Sequence, residues 1–148
     1  MEDDWLAWAV AGVRARSGLR LVPASAPPFE LASALRRGGI VAVLADIAQP
    51  GMRSFEVTLV GDPIRLPAGP AALSRITGAP IVPVAVLPIA MRSWRLVLGE
   101  PIAPPPRRGG SAGEIEATQR LADAWSAVLL AHPTAWAAVD PLPWLAAG

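Results

Sequence analysis

The sequence contains no cysteine, lysine, asparagine or tyrosine, and it has a single histidine. Without cysteine the chain can form no disulfide, no thiolate metal site and no cysteine nucleophile. All 13 basic side chains are therefore arginine; a GC-rich genome accounts for this bias, and arginine also suits phosphate groups through paired hydrogen bonds. The net charge is only +1 and no run of arginines exceeds two residues, so nucleic-acid binding is poorly supported.

The chain also lacks a long apolar run and a basic amino-terminal leader. Its longest uncharged apolar stretch, 79–91, has 13 residues and contains three prolines, so it is too short and too interrupted to cross a bilayer as a helix. The sequence opens with Met-Glu-Asp-Asp, whereas a secretory signal opens with positive charge. With 148 residues, 53% of them hydrophobic, we expect one domain, 1–148, in the cytoplasm or on a membrane surface.

The hydrophobic pattern predicts alternating helices and strands. Ser111 is the expected N-cap of the longest helix, with Glu114 completing a capping box. The predicted helices are 5–16, 28–37, 70–77 and 111–130, and the predicted strands are 19–22, 40–44, 55–60, 81–87 and 94–98. This order favours an α/β fold with a mostly parallel central sheet of about five strands flanked by helices.

The usual catalytic motifs are missing. The one histidine, His132, follows the longest predicted helix and precedes a proline, a position typical of a helix C-terminus. No acidic residue lies five places after it, so no His-x-x-x-x-Asp pair exists in this sequence. The sequence also has no phosphate-binding P-loop and no Gly-x-Gly-x-x-Gly turn, and its Gly-x-Ser-x-Gly string at 109–113 follows a proline-rich loop rather than a predicted strand, so it is no nucleophile elbow. These residues by themselves leave the function unassigned.

A series of longer motifs carries a family resemblance. In chain order they are Leu35-Arg-Arg-Gly-Gly-Ile-Val-Ala-Val-Leu-Ala-Asp46, Val57-Thr-Leu-Val-Gly61, Pro67-Ala-Gly-Pro-Ala71, Leu73-Ser-Arg-Ile-Thr-Gly-Ala-Pro-Ile-Val-Pro-Val84 and His132-Pro-Thr-Ala-Trp136. Each is weak alone, but together their order and spacing are specific. From 29 to 140 the chain resembles the C-terminal part of the bacterial late lipid A acyltransferases, a family that includes the phosphatidylinositol mannoside acyltransferases.

The resemblance implies part of a lysophospholipid-acyltransferase-like fold. It also implies an enzyme, peripheral at the cytoplasmic face of the inner or plasma membrane, that moves a fatty acyl group from acyl-CoA or acyl carrier protein to a glycolipid hydroxyl, with no cofactor and no metal. The candidate catalytic carboxylates are Asp46 and Asp62, and the candidate substrate-binding residues are Arg14, Arg16, Arg53, Arg65 and Gly69. Asp62 is also explained as part of a Gly-Asp-Pro turn at 61–63, and the arginines as ordinary solvated residues.

The chain departs from the family pattern where the chemistry lies. The family's His-x-x-x-x-Asp/Glu base is absent from this sequence, Asp46-Ile-Ala48 lacks the second carboxylate of a D-x-D pair, and Leu59-Val60 replace two phenylalanines. We therefore expect either a fragment of an enzyme or a diverged member without catalysis, and no acyl transfer by this polypeptide alone.

Two other functions stay open: a non-catalytic module that binds lipid or acyl chains, and a generic α/β ligand-binding domain. The tryptophans at 5 and 8 are consistent with a membrane-facing start to the chain, since indole suits the lipid interface, and equally with burial against a further part of a longer protein. Self-association is expected if an apolar face is exposed.

Overall fold

A computed structural model describes residues 16, 18–22, 27–48, 50–108 and 110–133. Within these ranges the helices are α1 (Pro28–Arg36), α2 (Gly69–Thr77) and α3 (Ala112–Ala131), and the strands are β1 (Ser54–Leu59), β2 (Asp62–Pro67), β3 (Val84–Ala90) and β4 (Ser93–Leu98). The helices predicted at 28–37, 70–77 and 111–130 are confirmed to within one residue at each end. The helix predicted at 5–16 lies outside the described residues except for Arg16, which is helical.

The strands form two separate antiparallel pairs, β1–β2 and β3–β4, so the expected mostly parallel sheet of about five strands is wrong. The length of the connections explains the difference. Only Val60 and Gly61 join β1 to β2, and only Met91 and Arg92 join β3 to β4. So short a connection can return only an antiparallel strand, whereas a parallel strand needs a crossover of about a dozen residues or more.

The turn of the first hairpin lies one residue earlier than the predicted turn at 61–63. It consists of Val60 and Gly61, whose φ angles are 53° and 91°, and a two-residue type I′ turn requires positive φ at both positions. Asp62 and Pro63 therefore begin β2, a strand absent from the prediction. The Gly-Asp-Pro triplet has the composition of a turn, but its last two residues are paired with Leu59 and Thr58.

Two predicted strands have no regular structure. In 40–44, Ile40 and Leu44 are 97% and 82% exposed, and in 19–22 both Leu19 and Leu21 are exposed. A β-branched run favours extended backbone, but a strand also needs a second strand to supply its hydrogen-bond partners. No backbone hydrogen bond joins 40–44 to another residue in the described part of the chain.

The two strands of the second hairpin lie near the strands predicted at 81–87 and 94–98, but the first of them begins later. β3 starts at Val84 rather than at Ile81, which instead forms an isolated antiparallel bridge with Ile102. Pro83 lies between them and has no N–H to donate, so the ladder is interrupted there. The strand predicted at 94–98 is confirmed as β4, which begins one residue earlier.

Helix α3 carries most of the apolar packing. Leu121, Trp125 and Leu129 recur at the four-residue spacing that places side chains on one helix face. The cluster on the first hairpin comprises Val57, Leu59, Ile64, Leu66 and Ala122, and the cluster toward α2 comprises Ala71, Ile102, Ala117 and Leu121. Trp125 packs against both clusters, so α3 links the hairpin to α2. No helix among the described residues has both the length and the hydropathy to span a membrane.

Polar side chains of α3 cover the open edge of β1. The side-chain amide of Gln119 accepts a hydrogen bond from the Thr58 N–H and donates one to the Thr58 carbonyl, both at 2.9 Å. The Ser126 hydroxyl accepts a hydrogen bond from the Val60 N–H at 2.9 Å. Gln119 and Ser126 are about two helical turns apart and therefore share a face. These bonds replace those of a neighbouring strand, and so they protect the edge from pairing with another chain.

Candidate functional site

An apolar cavity of about 290 Å³ lies between the segment 43–46, the two hairpins and α3. Its lining residues are Val43, Leu44, Ala45, Asp46, Leu59, Leu66, Val84, Ala85, Val86, Trp125, Val128 and Leu129. Asp46 is the one charged residue among them, and all the others are apolar. The volume is at the lower end of the roughly 300–1,000 Å³ typical of small-molecule sites, which also combine apolar walls with a few polar groups.

Asp46 lies in the wall of this cavity, half-buried and directly after Ala45, which is 4% exposed. Its backbone bends there. The strand expected to end at this carboxylate is absent, yet the residue still reaches a concave apolar surface. The site therefore offers an apolar space of about 290 Å³ with one carboxylate in its wall.

Asp62 lies near the cavity but does not line it. It is the first residue of β2, it is exposed, and it pairs across the hairpin with Leu59, which does line the cavity. Asp46 and Asp62 therefore flank one region without meeting in a described contact.

Within the described ranges, no three histidine, cysteine, aspartate or glutamate side chains are grouped as metal ligands would be.

Arg53, Arg65 and Gly69 gather at the opposite end of the first hairpin. The Ala68 N–H donates to the Arg53 carbonyl at 2.9 Å, which fixes the start of α2 beside Arg53. Arg65 donates to the hydroxyl and the carbonyl of Ser54 at 3.1 and 3.2 Å. Along β1 this end is five residues from the Leu59–Asp62 pair, which corresponds to about 17 Å. Of the predicted site residues at this hairpin, Asp62 therefore lies at one end, and Arg53, Arg65 and Gly69 lie at or beside the other.

Arg53 is engaged in a structural contact that the sequence did not reveal. Its Nη2 lies 2.7 Å from Oε2 of Glu114, and the two groups form an ion pair without hydrogen-bond geometry. The Arg53 guanidinium also lies 5.0 Å from the Phe55 ring centroid. Arg75 Nε donates to Oε1 of Glu114 at 2.6 Å. The expected capping box is wrong, because Ser111 makes no side-chain cap bond and the Glu114 carboxylate pairs with two arginines.

The other sequence candidates that the structure describes do not line the cavity. Arg14 lies outside the described residues, and Arg16 is exposed. Gly69 is exposed at the start of α2, and a Cβ added there would meet no atom within 4 Å. His132 is the C-cap of α3, as its sequence position predicted, and its N–H donates to the Val128 carbonyl at 2.8 Å.

The aromatic and aliphatic wall of the cavity was not predicted as part of a site. Trp125, Val128 and Leu129 belong to one face of α3, and their spacing was a visible signal of an apolar stripe. A stripe predicts only that a face is buried. Whether it contacts a packed core or borders a cavity depends on the elements that face it.

Comparison with known proteins identifies the family. A family model described as "Bacterial lipid A biosynthesis acyltransferase" matches residues 2–142. A phosphatidylinositol mannoside acyltransferase from Mycobacterium tuberculosis is 34% identical over 136 residues, which cover 87% of this chain and 40% of that protein. A protein of the same name from Mycolicibacterium smegmatis is 33% identical over 132 residues, covering 86% of this chain and 40% of the relative.

This chain therefore spans about 40% of the length of the curated relatives that it matches. The family model covers nearly all of the chain, and its match includes every motif that carried the resemblance. The chain belongs to the bacterial lipid A biosynthesis acyltransferase family.

Proposed function

We propose that this chain is the acyl-chain-binding part of an acyltransferase acting on a glycolipid at the cytoplasmic face of a membrane. The donor in this proposal is acyl-CoA or acyl carrier protein, and the acceptor is a glycolipid hydroxyl. Membership of the family supports the reaction class, and the names of the matched relatives support a mannosylated phosphatidylinositol as acceptor. The observation that carries the proposal is the apolar cavity with Asp46 in its wall.

The cavity suits a hydrocarbon chain because its walls are aliphatic and aromatic. Each methylene moved from water into such an environment gains about 0.8 kcal/mol. Val84 and Val86 line one side of the cavity, and Trp125, Val128 and Leu129 line another. The proposed ligand is therefore the acyl tail, and the polar part of donor or acceptor would lie toward Asp46.

Asp46 has a positioning role in this proposal. In acyl transfer a base removes the proton of the acceptor hydroxyl, the oxygen attacks the thioester carbonyl, and the thiol leaves. A carboxylate beside the acyl chain can accept a hydrogen bond from the hydroxyl or orient an imidazole. Asp62, which is exposed beside the cavity-lining Leu59, is the second carboxylate available for this purpose.

This polypeptide by itself is proposed not to transfer acyl groups. A positioned base contributes about 10²–10⁴-fold to such a reaction. The single imidazole of the sequence, His132, is the exposed C-cap of α3, and no carboxylate stands five residues after it. A non-catalytic module that binds an acyl chain is the alternative, and the same cavity favours it.

Binding is tested with the full chain and a series of saturated fatty acyl-CoA molecules of increasing length, by isothermal titration calorimetry. The expected affinity rises about four-fold for each added methylene until the cavity is full. Val128→Trp, which fills the cavity, should weaken binding about ten-fold or more. Ala127→Trp is the matched control, since Ala127 is exposed on the same helix and does not line the cavity. Binding that is independent of chain length would contradict the proposal.

Transfer is tested separately, by incubating the chain with acyl-CoA and a mannosylated acceptor lipid and following acylated product by mass spectrometry. We expect acyl-chain binding without product. Turnover above the uncatalysed rate that is abolished by Asp46→Ala or His132→Ala would show that the chain carries its own catalytic groups. Binding without transfer is compatible both with a part of an enzyme and with a non-catalytic binding module. Supplying the His-x-x-x-x-Asp segment of a relative as a separate polypeptide distinguishes the two. Restored turnover would support the proposal that the chain is part of an enzyme.

A further inference from the structure

The second hairpin presents an apolar face that is largely exposed among the described residues. The cross-strand pairs Val84–Leu98, Val86–Leu96 and Pro88–Trp94 alternate onto this face. The exposed fractions of its large side chains range from 43% at Val84 to 65% at Trp94. At the turn, Met91 is 94% exposed and Ile89 is 51% exposed. Contiguous apolar surface of this kind marks a contact with a partner or a lipid.

The positive charge of the hairpin favours an anionic lipid surface over a protein partner. Between Pro63 and Gly99 the sequence has no acidic residue, and from 79 to 99 its only charges are Arg92 and Arg95. Arg92 lies in the turn itself, with a φ of 64°, beside the exposed Met91. Arginine near an apolar tip is complementary to the phosphates of an anionic bilayer surface, and tryptophan favours the depth of the lipid head groups.

The apolar face also continues into the cavity. Val84 and Val86, which belong to the exposed face of β3, are lining residues of the cavity as well. Trp94 and Pro88 extend the same face to the turn. A hydrocarbon chain leaving the bilayer at the tip could therefore follow one apolar surface to the cavity without crossing a charged side chain.

We propose that the β3–β4 hairpin is a membrane-docking element for an anionic lipid surface. Met91 and Trp94 insert among the head groups, Arg92 and Arg95 bind lipid phosphates, and the face between tip and cavity guides the acyl chain. The role given to docking, which is to deliver an acyl chain to the cavity, rests on the proposed function. Lipid contact at the tip is measured independently of acyl-chain binding in the cavity.

The absence of native cysteine allows a site-specific probe. Met91→Cys is labelled with an environment-sensitive dye in the full chain, and Ile115→Cys serves as the control because Ile115 is exposed on α3, about 20 Å along that helix from the cavity-lining Val128. On vesicles of phosphatidylcholine with phosphatidylglycerol, the dye at 91 should brighten and shift to the blue, and the dye at 115 should not. On pure phosphatidylcholine the change at 91 should be much smaller.

Three outcomes would overturn the proposal. One is a chain that does not bind anionic vesicles. Another is a chain that binds them with the same dye response at 91 and 115. The third is a response at 91 that rises with protein concentration in the absence of vesicles, which would assign the face to a second copy of the chain.

Arginine variants measure the contribution of the lipid phosphates. Replacing Arg92 and Arg95 together by glutamine should lower the partition coefficient on anionic vesicles roughly 25-fold, about five-fold for each arginine. The matched control replaces Arg107 and Arg108 by glutamine. These arginines are exposed outside the hairpin, so the partition coefficient should not change. If both double variants lost the same affinity for anionic vesicles, net charge alone would explain the effect, and the assignment of Arg92 and Arg95 as phosphate ligands would be overturned. Acyl-chain binding in solution, measured on the same variants, should persist, so failure of docking is distinguishable from failure of the proposed function.

Discussion

Glu114 shows how one carboxylate can hold several elements together. Its side chain is 1% exposed and receives Arg75 from α2 and Arg53 from the segment before β1. The two arginines differ in their surroundings, since the side chain of Arg53 is 57% exposed and that of Arg75 is 31% exposed. An exposed ion pair contributes little because water screens it, whereas removal of a partner from a buried charge is costly.

The first prediction therefore concerns the order of two arginine variants. Arg75→Met should lower the free energy of unfolding by about 3 kcal/mol, because it removes the hydrogen-bonded partner of a buried carboxylate. Arg53→Met should cost about 1 kcal/mol or less. Chemical denaturation of both variants, with Arg108→Met as an exposed control, measures the difference. A larger loss for Arg53→Met would contradict the assignment of Arg75 as the main partner of Glu114.

At the scale of elements, the first hairpin depends on a turn whose residue types do not fully match its geometry. Val60 is β-branched and has a φ of 53°, a left-handed conformation that costs an L-residue roughly 1–2 kcal/mol. Gly61 meets the same requirement at no such cost. Asparagine and glycine are the preferred pair for a two-residue type I′ turn. Replacing Val60 by a residue that prefers this conformation should therefore stabilise the protein.

The second prediction is that Val60→Asn raises the free energy of unfolding by about 1 kcal/mol. The hydrogen bond from the Val60 N–H to Ser126 uses the backbone and should survive the change. Thermal and denaturant unfolding measure the gain. Val82→Asn is the control, since Val82 is similarly exposed and lies outside the turn. A destabilised Val60→Asn would mean that the valine side chain makes a more important apolar contact than its exposure indicates.

The third prediction concerns the edge of β1. Gln119→Leu removes both side-chain hydrogen bonds to Thr58 and should cost about 1–2 kcal/mol of stability. Amide hydrogen exchange should accelerate at Thr58 more than at Val57, and the exposed edge should promote association. Glu116→Leu, an exposed change on the same helix, is the control. Unchanged exchange at Thr58 would show that the strand does not rely on α3 for its outer hydrogen bonds.

At the scale of the whole molecule, the segment 40–44 is a second exposed apolar surface among the described residues. In 40–44 the Ile40 and Leu44 side chains are largely exposed and the backbone has no hydrogen-bonded partner within the described residues. Family members matched here are about two and a half times as long as the aligned region, since that region covers 40% of them. An extended apolar segment of this kind can pair with a second chain by strand addition.

The fourth prediction is that the chain self-associates through this segment. Sedimentation velocity should show a concentration-dependent increase in mass, and Val41→Pro, which removes one backbone donor and prevents a strand ladder, should weaken association about ten-fold. Val41→Thr keeps the donor and is the control. A monomer at all concentrations, or equal association in the two variants, would contradict the prediction.

The sequence determined the local parts of this protein and its family. The helices at 28–36, 69–77 and 112–131 were predictable because helical hydrogen bonds join residues four apart, so the signals of start, stop and periodicity lie within each segment. The glycine at 78 ends α2 with a φ of 79°, as its position indicated. The motifs from Leu35 to Trp136 identified the family, and this sequence contains no His-x-x-x-x-Asp pair.

Only the tertiary structure decided how the strands pair and what surrounds each candidate residue. Strand partners are remote in sequence, and the run at 40–44 has the same composition whether or not another strand lies beside it. For the same reason Asp46 lies in a cavity wall without its expected strand, Arg53 pairs with a buried carboxylate, and the apolar stripe of α3 borders a cavity. A cavity and a buried ion pair are each formed by several distant segments, so no single stretch of sequence specifies them.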